Sequence, residues 1–386
     1  MAHQTEPGTL GNLTIEEEHR LQEAWVHLLR LCEVEIFHHD TPDKTKELRQ
    51  HLSNKSPEIF RQRLWKFFTA DHPDTMVLRF LRARKWDVEK AMAMLTSAID
   101  WRDEQRIDED IVRTGESIGL KKTLSEDQNG FMMQYRSGKS FVRGTDKENR
   151  PIYIIKVRLH DPNLQSPQSM EMFVLHNIES LRAMARAPND KVCLIFDLSG
   201  FGLKNMDFHV VKFLVQVFEA KYPETLGVVL VHNAPFIFWG IWSVIKRWLN
   251  PVIASKIHFT NGTKELKRFI SAENLQKCYG GQDNWEYKYI GPEPGENQPL
   301  LSEEKGAKIQ NERNELVQQF EQMTIDWTCA DEGSVEAKEK DKERSELVNE
   351  LRDNYWKLDP FIRAKTYYHR VGVIGATGEV DFKAAR

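Results

Sequence analysis

The sequence predicts an α/β protein: a mainly parallel sheet with crossover helices, preceded by an N-terminal helical bundle and followed by a charged helical tail. Three observations carry that class. Apolar residues between 58 and 106 recur at helical spacing, and the stretch 152–231 alternates short apolar runs with helical segments. Beyond 291 the chain turns Pro- and Gly-rich and then highly charged.

In order along the chain, Thr14 followed three residues later by Glu17 is a capping-box pattern, and Leu21, Trp25, Leu28 and Leu29 share the face of the helix it opens. Leu78, Phe80, Leu81, Trp86, Met94, Leu95 and Trp101 continue the helical pattern, with Asp74 and Asp87 as expected caps. After a polar stretch at 139–149, the runs 152–157, 192–198 and 228–231 read as buried strands. Segments 170–187 and 206–219 read as the helices between them. In 303–351, Leu316, Phe320, Met323 and Trp327 recur at helical spacing among charges, so one face of a solvated helix can rest on the body. The segment 355–386 gives no clear pattern. The expected units are 1–110, 125–285 and 295–386.

Two-fifths of the 386 residues are apolar, enough for a large core, and a net charge of −4 gives no global drive toward nucleic acid. Cys32, Cys193, Cys278 and Cys329 fall in no metal or redox spacing, and His176, His209, His232 and His258 form no zinc-type pair, so no metal site is expected. The first thirteen residues lack the basic flank and apolar core of a secretory signal, which predicts a cytoplasmic protein. No apolar run reaches the roughly 18 residues of a membrane span.

Enzyme signals are weak. Gly115-Glu116-Ser117-Ile118-Gly119 matches a nucleophile elbow, but the charged residues before it cannot form the buried strand that an elbow requires. Ser137-Gly138-Lys139-Ser140 resembles the end of a phosphate-binding loop, yet Met133 stands where the first glycine should be. Gly200-Phe201-Gly202 has Asn205 in place of a third dinucleotide-loop glycine.

The segment 235–252 crowds three tryptophans and two phenylalanines around only two charges. A core helix is the ordinary fate of such a run; the alternative is a lid that lies in a membrane interface. The adjacent Lys246 and Arg247, the amphipathic aromatics and a proline near each end favour the lid.

Several stretches together carry a family resemblance. They are Leu78-Arg79-Phe80-Leu81-Arg82-Ala83-Arg84-Lys85-Trp86-Asp87, Phe196-Asp197-Leu198-Ser199-Gly200, Tyr222-Pro223-Glu224-Thr225-Leu226-Gly227, Asn233-Ala234-Pro235-Phe236, Asn250-Pro251-Val252-Ile253-Ala254-Ser255-Lys256-Ile257 and Gly280-Gly281. From about 74 to 281 the chain resembles the CRAL-TRIO lipid-binding proteins, specifically fungal relatives of the yeast phosphatidylinositol transfer protein. The resemblance implies a helical lobe and an α/β lobe whose sheet floors a lipid pocket.

It also implies phosphatidylinositol headgroup contacts from Arg84, Glu224 and Lys256. The implied gate helix, which also touches the membrane, carries Phe236, Phe238, Trp239, Ile241, Trp242, Ile245, Lys246, Arg247, Trp248 and Leu249. The implied pocket lining includes Val192, Leu194, Phe196 and Ile253. Ile253 stands where the family has a threonine, and Val192 and Leu194 stand where choline-lipid binders carry hydroxyls. The first departure removes one hydroxyl from the headgroup site and implies weaker or altered inositide recognition; the second turns the expected second ligand from phosphatidylcholine toward a sterol-like or other neutral lipid. The expectation is a monomeric, non-enzymatic carrier without cofactor, bound to a membrane phospholipid and transiently to membrane surfaces. The alternative of another class is an adaptor that presents inositide to a lipid kinase.

Overall fold

The computed structural model describes residues 6–36, 40–185, 190–331 and 333–384. They divide into two compact units, Met1–Asp108 with Pro299–Ile362 and Glu109–Gln298 with Arg363–Arg386. The expected extension 295–386 therefore contributes to both. All four cysteines are free thiols.

The first unit opens with α1 (Ile15–Leu31), α2 (Thr45–Arg49), α3 (Pro57–Phe68), α4 (Pro73–Ala83) and α5 (Val88–Glu104). The capping box forms as expected: the Glu17 N–H donates to Thr14 Oγ1 at 3.2 Å and the Thr14 N–H to Glu17 Oε2 at 2.9 Å. Asp87 caps α5 by accepting the Lys90 N–H at 3.0 Å. Asp74 does not cap α4. His72 does, its Nδ1 accepting the Asp74 N–H at 3.2 Å, while the Asp74 carboxylate turns inward to Trp25 and Arg344.

The second unit holds α6 (Glu126–Arg136), β1 (Ser140–Thr145), β2 (Pro151–Lys156), α7 (Pro167–Met184), β3 (Val192–Asp197), α8 (Phe208–Ala220) and β4 (Leu226–His232). There follow α9 (Phe238–Ile245), α10 (Pro251–Ser255), β5 (Ile257–Thr260) and α11 (Gly262–Leu266). The sheet order is β1-β2-β3-β4-β5, antiparallel at the first pair and parallel at the other three. Helices α7 and α8 are the expected crossovers. The stretch 139–149, expected to be merely polar, contains β1, whose Phe141 and Val142 are buried.

Successive side chains along a strand point to opposite faces. Ile152, Ile154, Cys193, Ile195, Val228 and Leu230 pack one face against Leu266, Ile270, Leu275 and Tyr279. That face closes on Gly281, where a Cβ would lie 1.8 Å from the Leu275 carbonyl oxygen, so only glycine fits. The last part of the chain covers the outer edge of β1: the Val142 N–H donates to Tyr368 Oη at 3.1 Å and the Gly144 N–H to the Phe382 carbonyl at 3.0 Å. Such pairing removes an open strand edge.

Helices α12 (Glu303–Thr328) and α13 (Val335–Ile362) complete the first unit, and α14 (Tyr367–Arg370) belongs to the second. Phe320 and Trp327 of α12 are buried in the helical core, with Leu316 and Met323 packed against it. The apolar stripe read among the charges is thus an interior face.

Candidate lipid-binding site

The sheet face opposite Gly281 floors a cavity of about 240 Å³. Close-packed interiors leave few voids larger than one water, which needs roughly 15 Å³ by the same measure, so this is a chamber rather than a packing defect. Tyr153, Ile155, Val192, Leu194, Phe196, Val229 and Val231 line the floor at every second position of β2, β3 and β4. Met170, Phe173, Val174, Ile178 and Leu181 of α7 and Val210, Val211, Leu214, Val215 and Phe218 of α8 form walls. These α8 residues are only half-buried although all are apolar. Their missing contacts would be made by whatever occupies the cavity.

Phe238, Trp242, Ile245, Leu249 and Ile253 close the remaining side. The helix in this cover, α9, is eight residues long, shorter than the apolar run 235–252. A turn interrupts the run, and Asn250 then caps α10 by accepting the Ile253 N–H at 2.8 Å, with Pro251 in its first turn. Phe238, Ile241 and Ile245 pack inward on Leu198, Phe201 and Val231. Phe236 is 93% exposed and Trp239 45% exposed, with Trp239 also resting on Phe259 at 4.7 Å between ring centroids. Lys246 and Arg247 are exposed, and Trp248 lies half-buried against Phe208. The cover therefore has an apolar inner face and an outer face that carries both exposed aromatics and cations.

Glu224 and Lys256 meet, with Lys256 Nζ donating to Glu224 Oε2 at 3.3 Å and side chains 16% and 18% exposed. Glu224 precedes β4 and has φ +58°, a left-handed conformation that costs a non-glycine residue about 1–3 kcal/mol. Glu224→Gly should relieve that strain and leave the unfolding free energy unchanged or raised by about 1 kcal/mol, while removing the carboxylate. A denaturation curve checks this expectation; marked destabilisation would mean that the ion pair outweighs the strain. Arg84 belongs to the helical unit, at the C-cap of α4, where Nη1 donates to the Ala83 carbonyl at 3.1 Å.

Enzyme-type readings do not gain geometry. Ser117 sits in a short 3-10 helix after a helical segment, Ile107–Thr114, with Oγ donating to the Thr114 carbonyl at 2.5 Å, so no strand leads into an elbow. Lys139 leads into a strand rather than the helix that a phosphate loop requires. Among the described residues no His, Cys, Asp and Glu cluster could hold a metal ion, and no helix is long and apolar enough to cross a membrane.

Sequence reading missed the polar members of the cavity wall, chiefly Lys139, His160 and Asp207. Lys139 donates to His160 Nδ1 at 2.9 Å, and His160 Nε2 lies 3.0 Å from Asp207 Oδ2. The only sequence signal was Lys139 in the Ser137-Gly138-Lys139-Ser140 stretch, which read as an incomplete phosphate loop rather than a cavity wall.

A sheet floor, two crossover helices and a separate apolar cover define an α/β protein built around an enclosed apolar cavity. The chain matches the CRAL/TRIO domain over residues 135–281 and the CRAL/TRIO N-terminal domain over residues 44–97. It is 37% identical over 337 residues to a CRAL-TRIO domain-containing protein of Schizosaccharomyces pombe, covering 86% of this chain and 74% of that protein. To the phosphatidylinositol transfer protein CSR1 of Eremothecium gossypii it is 39% identical over 340 residues, covering 86% of this chain and 76% of that one. The crystal structure of Sfh5 overlays with a TM-score of 0.46 at 14% identity, covering 70% of this chain and 88% of that chain. The chain belongs to the CRAL/TRIO family.

Proposed function

We propose that this protein is a non-enzymatic carrier that binds phosphatidylinositol and exchanges it between membranes, with a sterol-like or other neutral lipid as counter-ligand. The observation that carries the reading is the apolar cavity with a half-open Glu224–Lys256 pair beside its floor strands. Lys256 can donate to phosphate and inositol oxygens, and Glu224 can accept from ring hydroxyls while balancing the lysine charge. Val192 and Leu194 offer no hydroxyl to a choline headgroup, which favours a neutral second ligand.

Energetics explain the cover. At about 0.8 kcal/mol per methylene, exposing two acyl chains of about thirty methylenes to water would cost on the order of 24 kcal/mol. A cover that opens against a membrane lets the lipid pass between two apolar media without that cost becoming a barrier. The protein acts in the cytoplasm and touches membranes transiently through Phe236 and Trp239, with Lys246 and Arg247 toward anionic headgroups.

Mass spectrometry of lipids co-purified with the full chain tests this. Phosphatidylinositol should accompany the wild type and be lost, by tenfold or more, from Glu224→Ala/Lys256→Ala, since charge-assisted hydrogen bonds contribute about 1.5–3 kcal/mol each. Wild-type protein carrying only neutral lipid would overturn the inositide assignment.

A further inference from the structure

Lys139 is 3% exposed and lines a mainly apolar cavity. Its ammonium donates to His160 Nδ1 at 2.9 Å and points a weak contact at Met170 Sδ, 3.4 Å away, with the Phe173 ring centroid at 5.8 Å. The His160 Nε2–H then donates to Asp207 Oδ2 at 3.0 Å, and Asp207 is fixed as the N-cap of α8 by the Val210 N–H at 3.1 Å. The nearest carboxylate in this chain of contacts is thus one imidazole away from the lysine. Burial alone pushes the Lys139 amine down to about 7, against the pull of Asp207.

On the same wall, Ser140 Oγ and Tyr153 Oη lie 2.7 Å apart. One hydroxyl donates to the other, which leaves the second O–H proton to be directed elsewhere. Lys139 and this hydroxyl pair line the same cavity, and the ammonium alone can donate to a guest carboxylate. There is no guanidinium fork here and no second cation of the kind that phosphate recognition favours.

The position excludes a role toward the inositide site. The Lys139 carbonyl accepts the Lys156 N–H, so Lys139 stands at the C-terminal ends of the parallel strands, on the β1 edge. Glu224 and Lys256 precede β4 and β5, on the N-terminal side and at the other edge. A six-residue strand such as β3 spans about 20 Å, so a lipid whose headgroup meets Glu224 and Lys256 brings only its acyl tails toward Lys139.

We propose that Lys139, braced by His160 and Asp207, anchors the carboxylate of a long-chain fatty acid lying head-inward in the cavity. A carboxylate supplies in direct contact the counter-charge that Asp207 offers only through His160, and its chain fills the apolar space over the floor strands. A neutral hydroxyl, such as that of a sterol, brings no counter-charge, so a neutral counter-ligand is held by the apolar lining and not by Lys139. The inference rests on the cavity as a lipid chamber and not on the inositide assignment.

Oleate and oleyl alcohol share one chain and differ only at the head, so titration of the delipidated full-length protein with each isolates the anchor. Wild type should bind oleate at least roughly tenfold more tightly than the alcohol, and Lys139→Met should bring the two within about twofold. Methionine keeps the length and removes the buried charge, and unchanged alcohol binding in the variant reports an intact cavity. Equal binding of the two ligands by wild type, or an oleate preference that survives Lys139→Met, would overturn the proposal. The titration uses no phosphatidylinositol, so its failure and the failure of the inositide reading are separate results.

Discussion

Asp74→Ala is expected to destabilise the helical unit by about 3–5 kcal/mol, enough to leave many domains unfolded at physiological temperature. Asp74 and Arg344 are both fully buried, joined by Nη2–Oδ1 at 2.9 Å and Nη1–Oδ2 at 3.1 Å, and the Trp25 indole donates to the same carboxylate at 2.6 Å. Removing the carboxylate leaves the buried guanidinium, 4.2 Å from the Trp327 ring centroid, with only the part-exposed Asp341 Oδ1 at 3.3 Å and Thr324 Oγ1 at 3.1 Å as acceptors, and the Trp25 indole N–H without its partner. Asp74→Leu/Arg344→Met should recover most of the loss, because a buried ion pair exchanged for apolar side chains is often neutral. Urea unfolding of the three proteins decides the matter. A single substitution costing under 1 kcal/mol would show that the pair contributes little.

The same site gives the helical unit an acid limit. Burial raises the Asp74 carboxyl and the Arg344 charge opposes it, followed by His72; the net direction is downward. A lowered carboxyl stabilises the fold above its unfolded value near 4, and that contribution is lost as pH falls through the folded value. His72 acts earlier, because burial holds its imidazole down at about 4, so the unfolded chain binds its proton first as pH drops below about 6.5.

What could be read from sequence followed locality. The Thr14 and Glu17 signals lie three residues apart and needed no tertiary information, and the strands β2, β3 and β4 announced themselves as apolar runs between helical segments. Strand β1 did not, because Phe141 and Val142 are its only large apolar residues and its partners are β2 and a segment more than 200 residues later. Asp74 looked like a cap for the same reason: its partner Arg344 is 270 residues away in sequence. In the site, Glu224 and Lys256 acquired a role only through family resemblance, since nothing local to either marks a pair 32 residues apart. The apolar floor was legible as β3, whereas Lys139 carried no pattern that separates a cavity wall from a strand start.

Phe236→Asp/Trp239→Asp should slow lipid exchange between vesicles by roughly a hundredfold or more. Moving a fully exposed phenylalanine or a half-exposed tryptophan into an apolar interface gains about 1.5–3 kcal/mol for each large side chain. Losing both removes about 3–6 kcal/mol from the docked state, and each added carboxylate is further repelled by anionic headgroups. The loss of the Trp239 contact with Phe259 should cost the fold only about 1 kcal/mol, so the thermal midpoint separates slower docking from unfolding. Raising the anionic lipid content should speed the wild type through Lys246 and Arg247, each contributing about 1 kcal/mol near a charged surface, and should fail to rescue the variant. Exchange by the folded variant at the wild-type rate would mean that lipid enters without this face touching the membrane, and the role of α9 as the gate would fall.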